Sequence, residues 1–310
     1  MKDTDLVPLP ADVRLIDDLH LGRPHVIGTY LLSGDEPAIV DPGPPSTLAN
    51  LEAGLAAHGL SPADLSAVLL THIHLDHAGA TGTLVRRYPH LRVYVHERGA
   101  PHLVDPTKLI RSATRLYGAE MGRLWGEILP VPEQHITTLA GGETLRAGGR
   151  ALRVFDSPGH AVHHLFYFDQ GSGAAFVGDT AGVCLPEAPV ARPATPPPDI
   201  DVEGWLSTLD TLRSLNPQAL LLTHFGPAYR PDAYIADYRA ALLRWAEVVR
   251  AGLESGADEA TQVDRLRALM RAELDAAEST AESAQIEQTA SLDLSWQGLA
   301  RYWRKRSGEA

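Results

Sequence analysis

In the run Thr71-His72-Ile73-His74-Leu75-Asp76-His77, four residues able to ligate a metal fall within six positions. The apolar run Ala67–Leu70 leads into it, so the chain enters extended. Side chains alternate in extended chain, which puts His72 and His74 on one side, where both imidazoles can reach one ion. Asp76 and His77, opening a helical turn, can point toward a second ion beside the first. Neutral imidazole and carboxylate ligands suit zinc, iron or manganese, and the cluster alone does not choose among them. The alternative is a polar loop whose histidines only cap a helix, but three His and an Asp at a strand end have little structural use there.

Three further residues occupy equivalent places. His160 in Ser157-Pro158-Gly159-His160 follows a strand ending at Phe155, Asp179 follows Ala174–Val177, and His224 follows Ala219–Leu222. Taken singly, Asp179 reads as a helix N-cap and each histidine as a core residue. Beside the first cluster, their joint placement favours ligation.

The elements that must position them alternate between short apolar runs and helical patterns, the signal of an α/β protein. Expected strands are Val26–Leu32, Ala38–Val40, Ala67–Thr71, Arg92–Val95, Ala151–Phe155, Leu165–Phe168, Ala174–Val177 and Ala219–Thr223, with a hairpin loop at Asp169–Gly173. Ser46 or Thr47 can cap a helix carrying Leu48, Leu51 and Leu55 and stopped by Gly59, and Ser61-Pro62 opens another helical stretch. Residues 97–129 read as a broken helical insertion. Six prolines at positions 186–198 predict a long surface loop. Beyond it, apolar residues at helical spacing from Tyr234 to Leu253 and from Val263 to Leu274 make the C-terminal third helical. Residues 278–290 are polar and of low complexity, and Leu292–Arg306 is rich in Trp and Arg. The expected division is a catalytic unit over 1–230 and a helical extension over 231–310.

At 310 residues, 44% hydrophobic and 21% charged, the chain reads as globular, not membrane-spanning or disordered. Asp and Glu outnumber Lys and Arg by 39 to 27, a balance that argues against nucleic acid as partner. One cysteine, Cys184, excludes an intrachain disulfide and a thiolate metal cluster, and suits a reducing cytoplasm. No basic segment with an apolar run opens the sequence, and nothing marks it for export or a membrane.

The His-x-His-x-Asp-His run, the Val40-Asp41-Pro42-Gly43 turn before it, and His160, Asp179 and His224 in this order resemble the metallo-β-lactamase superfamily and, within it, the glyoxalase II-like hydrolases. The resemblance covers most of residues 20–230. It implies a four-layer αβ/βα sandwich with two divalent metal ions at one edge between the sheets, zinc first, with iron or manganese as alternatives. His72, His74 and His160 would hold the first ion, Asp76, His77 and His224 the second, and Asp179 would bridge. Asp41 is then a buried carboxylate holding the ligand loop, its alternative being an ordinary turn residue. The insertion and the closing Gly298–Trp303 segment look like a widespread, poorly characterised bacterial and archaeal branch.

Two adjacent cations can bring the pKa of a bridging water from ~16 toward neutrality and polarise a carbonyl or phosphoryl oxygen. Asp76 is the expected catalytic residue, orienting the nucleophile or passing a proton to the leaving group. The expected reaction is hydrolysis of a thioester, lactone or carboxylic ester of a small molecule. Lactonases resembling this site usually carry a Tyr three residues after the bridging Asp, whereas position 182 is Gly. The alternatives are iron-dependent redox chemistry of the persulfide dioxygenase kind, and phosphodiester cleavage. Either His163 or His164 can line the pocket or orient a ligand. Lys108, Arg111, Arg115 and Tyr117 are candidates to meet an anionic substrate, or else form a solvated helix face. His20, His25, His58, His90, His96, His102 and His135 lack a supporting constellation, and Cys184 reads as packing. Leu292–Arg306 must dock somewhere: on its own domain, or to complete a substrate pocket or a homodimer contact.

Overall fold

The computed structural model describes residues 9–185, 188–276 and 287–308. Two six-stranded sheets face each other. The first runs in the order of the chain: β1 (Val13–Asp17), β2 (Gly28–Leu32), β3 (Ala38–Val40), β4 (Ala67–Leu69), β5 (Arg92–His96) and β6 (Ile136–Leu139). β1, β2 and β3 pair antiparallel, while β3 to β6 are parallel. Helices α1 (Leu48–Ala57), α2 (Leu75–Ala78) and α3 (Thr81–Arg87) fall within the crossovers between parallel strands, and α4 (Ala100–Val104), α5 (Thr107–Tyr117) and α6 (Met121–Leu124) form the insertion before β6. The second sheet is built from β7 (Thr144–Ala147), β8 (Arg150–Asp156), β9 (Leu165–Asp169), β10 (Ala174–Phe176), β13 (Ala219–Leu222) and β14 (Gly226–Ala228). A separate hairpin pairs β11 (Val183–Leu185) with β12 (Ala188–Arg192). Four longer helices follow or flank it: α7 (Val202–Ser214), α8 (Pro231–Glu254), α9 (Glu259–Ala276) and α10 (Leu292–Ser307).

Strand alternation explains the layering. Tyr30, Leu32, Val40 and Leu69 point inward to meet Leu152, Val154, Tyr167 and Leu221 of the facing sheet. Their neighbours Leu31, Ile39 and Val68 point outward onto Leu48, Leu51 and Leu55 of α1. On the far side, Phe166, Ala175, Leu220 and Leu222 bury against Trp205, Tyr238, Trp245 and Leu299 from α7, α8 and α10. The central strands of each sheet are buried on both faces, and the result is the expected αβ/βα sandwich. The C-terminal helices share one core with the second sheet. Among the described residues no helix is long and apolar enough to cross a membrane.

Most of the eight expected strands lie within a residue or two of those observed. The proline-rich stretch is corrected: it is no long surface loop. Its described part contains β12, and Ala191, Arg192, Ala194 and Thr195 are buried. Proline bars a central strand, yet a two-stranded hairpin needs few ladder bonds, and α10 covers the segment that follows: the Thr195 hydroxyl donates to the Ser295 carbonyl at 3.0 Å. Thr47 does stand at the N-terminus of α1, but its hydroxyl donates to the Pro44 carbonyl and that of Ser46 to the Leu124 carbonyl, so neither caps the helix through its side chain. Of the polar stretch 278–290, residues 278–286 lie outside those described.

Candidate metal centre

Every candidate ligand follows the carboxyl end of a strand, at one edge of the sandwich. His72 and His74 follow β4, Asp76 and His77 sit in α2, His160 comes after β8, Asp179 after β10 and His224 after β13. Three overlapping groups bring their ligand atoms within 4.8 Å of one another: His72, His74 and His160; His72, His77 and Asp179; and Asp76, His77 and His224.

Partners on the far side of each ring fix which nitrogen faces the centre. His160 Nδ1 donates to the Ala194 carbonyl at 3.0 Å, His224 Nδ1 to the Val26 carbonyl at 2.6 Å, and His77 Nδ1 to Asp41 Oδ2 at 2.8 Å. Each neutral ring therefore turns an unprotonated Nε2 inward. The Thr71 hydroxyl gives its proton to Asp41, so its oxygen can accept from His72 Nδ1 at 3.2 Å, leaving His72 Nε2 bare as well. His72 Nε2 and His160 Nε2 both lie 2.9 Å from His74 Nδ1. Asp179 faces both halves of the cluster: Oδ2 is 3.3 Å from His160 Nε2, and Oδ1 is 3.2 Å from His77 Nε2 and 3.6 Å from His224 Nε2. His77 Nε2 and Asp179 Oδ1 are buried without a hydrogen bond. Convergent lone pairs and orphaned buried atoms of this kind fit divalent cations.

Electrostatics divide the cluster. Burial holds His72 and His160 below the ordinary histidine value and lowers His74 to about 3. At His77 burial acts the same way, but Asp179, Asp41 and Asp76 outweigh it and raise the value well above 6.5. His224 is likewise raised, by Asp179 and Asp76 against burial. Burial favours the neutral acid at Asp76 and Asp179, yet the surrounding imidazoles bring both below the usual carboxylate range.

Asp41 organises the ligand loops. Fully buried, its carboxylate accepts from the Thr71 amide at 2.8 Å, the Thr71 hydroxyl at 2.7 Å and the Thr223 hydroxyl at 2.9 Å, besides His77. His164 is buried too: it accepts from the Asp179 amide at 3.2 Å and meets the Ser157 hydroxyl at 2.7 Å, so it supports the Asp179 loop from behind. His163 instead lines the cavity above the cluster, its ring 5.7 Å from that of His74.

That cavity measures about 430 Å³. Its floor carries His74, Asp76 and Asp179, and the insertion, the proline segment and the start of α10 wall it. Lys108 and Tyr117 line it; Arg111 and Arg115 are exposed on α5 and do not. His20 and His102 line it as well, which no local motif announced. His20 is tied down by the Leu124 carbonyl at 2.9 Å and by Gln288, which donates to its backbone carbonyl at 2.9 Å. Cys184 is buried, with its thiol pushed up to about 11 by that burial, and acts as packing. At Gly182, φ is +69° and a Cβ would overlap the Arg192 carbonyl and the Tyr238 ring, so no tyrosine fits at this position.

A two-sheet αβ/βα sandwich with a His/Asp cluster at its strand ends is a scaffold suited to divalent metals. Residues 23–224 match the family model of the Metallo-beta-lactamase superfamily, and the chain belongs to that superfamily, a family of metallohydrolases. It is 31% identical over 160 residues to the hydroxyacylglutathione hydrolase of Synechococcus sp. (strain JA-2-3B'a(2-13)), covering 50% of each chain. The chain thus spans about half the length of that relative. To the metallo-beta-lactamase fold-containing protein ST1585 of Sulfurisphaera tokodaii it is 26% identical over 207 residues, 66% of this chain and 74% of that one. The crystal structure of the metallo-beta-lactamase family protein TTHA1429 from Thermus thermophilus superimposes with a TM-score of 0.71 at 23% identity, covering 97% of this chain and 95% of that one. This last likeness speaks to the fold alone.

Proposed function

We propose that the protein is a binuclear metallohydrolase that cleaves an ester-like bond, thioester, lactone or carboxylic ester, in a small molecule. His72, His74 and His160 would hold one divalent ion, Asp76, His77 and His224 the other, with Asp179 between them, and zinc is the metal proposed. The observation that carries this reading is the inward orientation of four imidazole Nε2 atoms around a carboxylate that faces both groups. When bound, two such ions supply a water that ionises near neutral pH and a Lewis acid for the carbonyl oxygen.

The chain's own residues do the rest. Asp76, its side chain 25% exposed, is the proposed proton carrier, able to take a proton at its carboxylate and release it to the leaving group. Asp41 and the Ala194 and Val26 carbonyls hold the imidazoles in one tautomer. The likeness to hydroxyacylglutathione hydrolases supports a thioester among the ester-like bonds.

The test is a screen of the full chain, loaded in turn with zinc, manganese and iron, against thioesters, lactones, carboxylic esters, phosphodiesters and β-lactams, with metal content measured alongside. The expected result is two metals per chain and turnover of one of the first three classes. One iron per chain with oxygen uptake, or phosphodiesters as best substrates, would overturn the reading.

A further inference from the structure

The cavity above the cluster is far less polar than its floor. Leu75, Leu109, Ala113, Leu116, Trp125 and Leu294 line it, contributed by α2, α5, the turn after α6, and α10. Besides the Asp76 and Asp179 carboxylates of the floor, its charged lining residues are of both signs, Arg98 and Lys108 from the insertion and Asp199 and Glu287 from the segments before α7 and before α10, so the walls select neither sign of charge. A volume of about 430 Å³ is in the range that encloses a small organic ligand, well beyond what a two-carbon acyl group fills. Three parts of the chain lying outside the paired sheets build these walls, and their apolar side chains gain only when they cover an apolar ligand.

We infer that the substrate carries an apolar group of medium length on one side of the bond that is cleaved, lying along α5 and the start of α10 while the reacting carbonyl sits over His74, Asp76 and Asp179. This rests on the ester-cleavage reading and adds the substrate class to it. A hydroxyacyl-glutathione would set a polar tripeptide against Leu109, Ala113, Leu116 and Leu294, whose side chains offer its amides no hydrogen bond, and is a poor occupant of that wall.

Two thioester series test the inference on the metal-loaded full chain: acetyl, butyryl, hexanoyl and octanoyl thioesters of one small polar thiol, and acetyl thioesters of alkane thiols of the same lengths. In one series kcat/KM should climb by roughly threefold per methylene until the cavity is full, and the series that climbs identifies whether the acyl or the leaving side occupies it. Ala113→Phe, which fills the space beside α5, should lower the ratio of octanoyl-length to acetyl-length kcat/KM at least tenfold. Turnover that is flat or falls with length in both series, or a lactoyl-glutathione thioester surpassing every alkyl chain, overturns the inference and leaves ester cleavage standing. If no thioester is turned over, the ester-like reading falls only if lactones and carboxylic esters are not turned over either, and binding decides the cavity separately: acetate to octanoate titrated against intrinsic tryptophan fluorescence must tighten with length. Equal affinities across that range sink the apolar-group proposal. Should Ala113→Phe not fold, as judged by its thermal melt, the wild-type series and the titration decide alone.

Discussion

Asp41 Oδ2 lies 2.8 Å from His77 Nδ1, in a pocket with no solvent access to either side chain. Residue 41 directly follows β3 at a φ of +53°, a backbone region costly for most side chains and more readily adopted by Asp and Asn. The turn brings one carboxylate under two ligand loops at once, because Thr71 precedes His72 and Thr223 precedes His224. Both threonine hydroxyls donate to the oxygen that accepts from His77. A residue that touches no substrate thus sets the register of three candidate ligands.

Asp41→Asn isolates the charge, since Asn tolerates the same backbone. Its amide cannot accept from all of the donors that now converge on the carboxylate, so one or more buried donors lose their partner. Metal affinity should fall by about 10–100-fold with the fold retained, measured by competition with a chromophoric chelator. Wild-type affinity in the variant would refute the positioning role.

Asp179 faces both ligand groups, whereas His224 faces one. Asp179→Ala should therefore reduce the metal content toward less than one ion per chain, and His224→Ala should leave about one ion bound by His72, His74 and His160. Metal analysis after dialysis separates the two cases. Two ions retained in either variant would falsify the assignment.

The buried histidines predict how the metal-free protein responds to pH. His72, His74, His160, His163 and His164 have folded values below the ordinary 6.5, so what they contribute to stability is complete above 6.5 and is lost as pH falls toward those values. His77 and His224 have raised values, and their contribution is complete below 6.5 and lost as pH rises through them. Thermal stability of the metal-free chain should peak near 6.5 and decline on both sides. Bound metal should abolish the alkaline decline, because it replaces the protons on those two rings, and its apparent affinity should rise with pH. A melting temperature rising monotonically from pH 5 to 8 without metal would contradict the opposed shifts.

The ligand run was legible because chemistry-bearing residues were concentrated at a strand end, where alternation alone puts His72 and His74 together. Strands buried on both faces, such as Ala219–Leu222, show as short apolar runs. β1, β6 and β7 were not, since Ile136-Thr137-Thr138-Leu139 and Thr144-Leu145-Arg146-Ala147 mix polar and apolar residues over four positions each, too few to declare a period. β14 contains Gly226 and Pro227, which argue against a strand until an edge position is known. His20 and His102 reach the cavity through tertiary packing alone. The proline count at 186–198 hid both β12 and the burial of the residues after it, because what buries Ala194 and Thr195 lies about a hundred residues away in α10.

That long-range contact yields a prediction opposite in sign to helix propensity. Gly298 sits within α10, where exchanging Gly for Ala ordinarily stabilises by about 1 kcal/mol. Here a Cβ would overlap the Thr195 carbonyl oxygen and crowd the backbone of Pro196 and Pro197. Relieving that overlap should cost about 1–3 kcal/mol, so Gly298→Ala should lower the melting temperature, whereas Gly122→Ala, in α6 with open space around it, should not. The displaced segment also carries Ala194, whose carbonyl accepts from His160 Nδ1 at 3.0 Å. Pushing Thr195 away from α10 shifts that carbonyl and loosens the tautomer of His160, so metal affinity should weaken together with stability, although no atom of residue 298 approaches the cluster. Chelator competition and thermal melts on both variants check the pairing: a stable Gly298→Ala protein with wild-type metal affinity would show that α10 does not brace the metal centre.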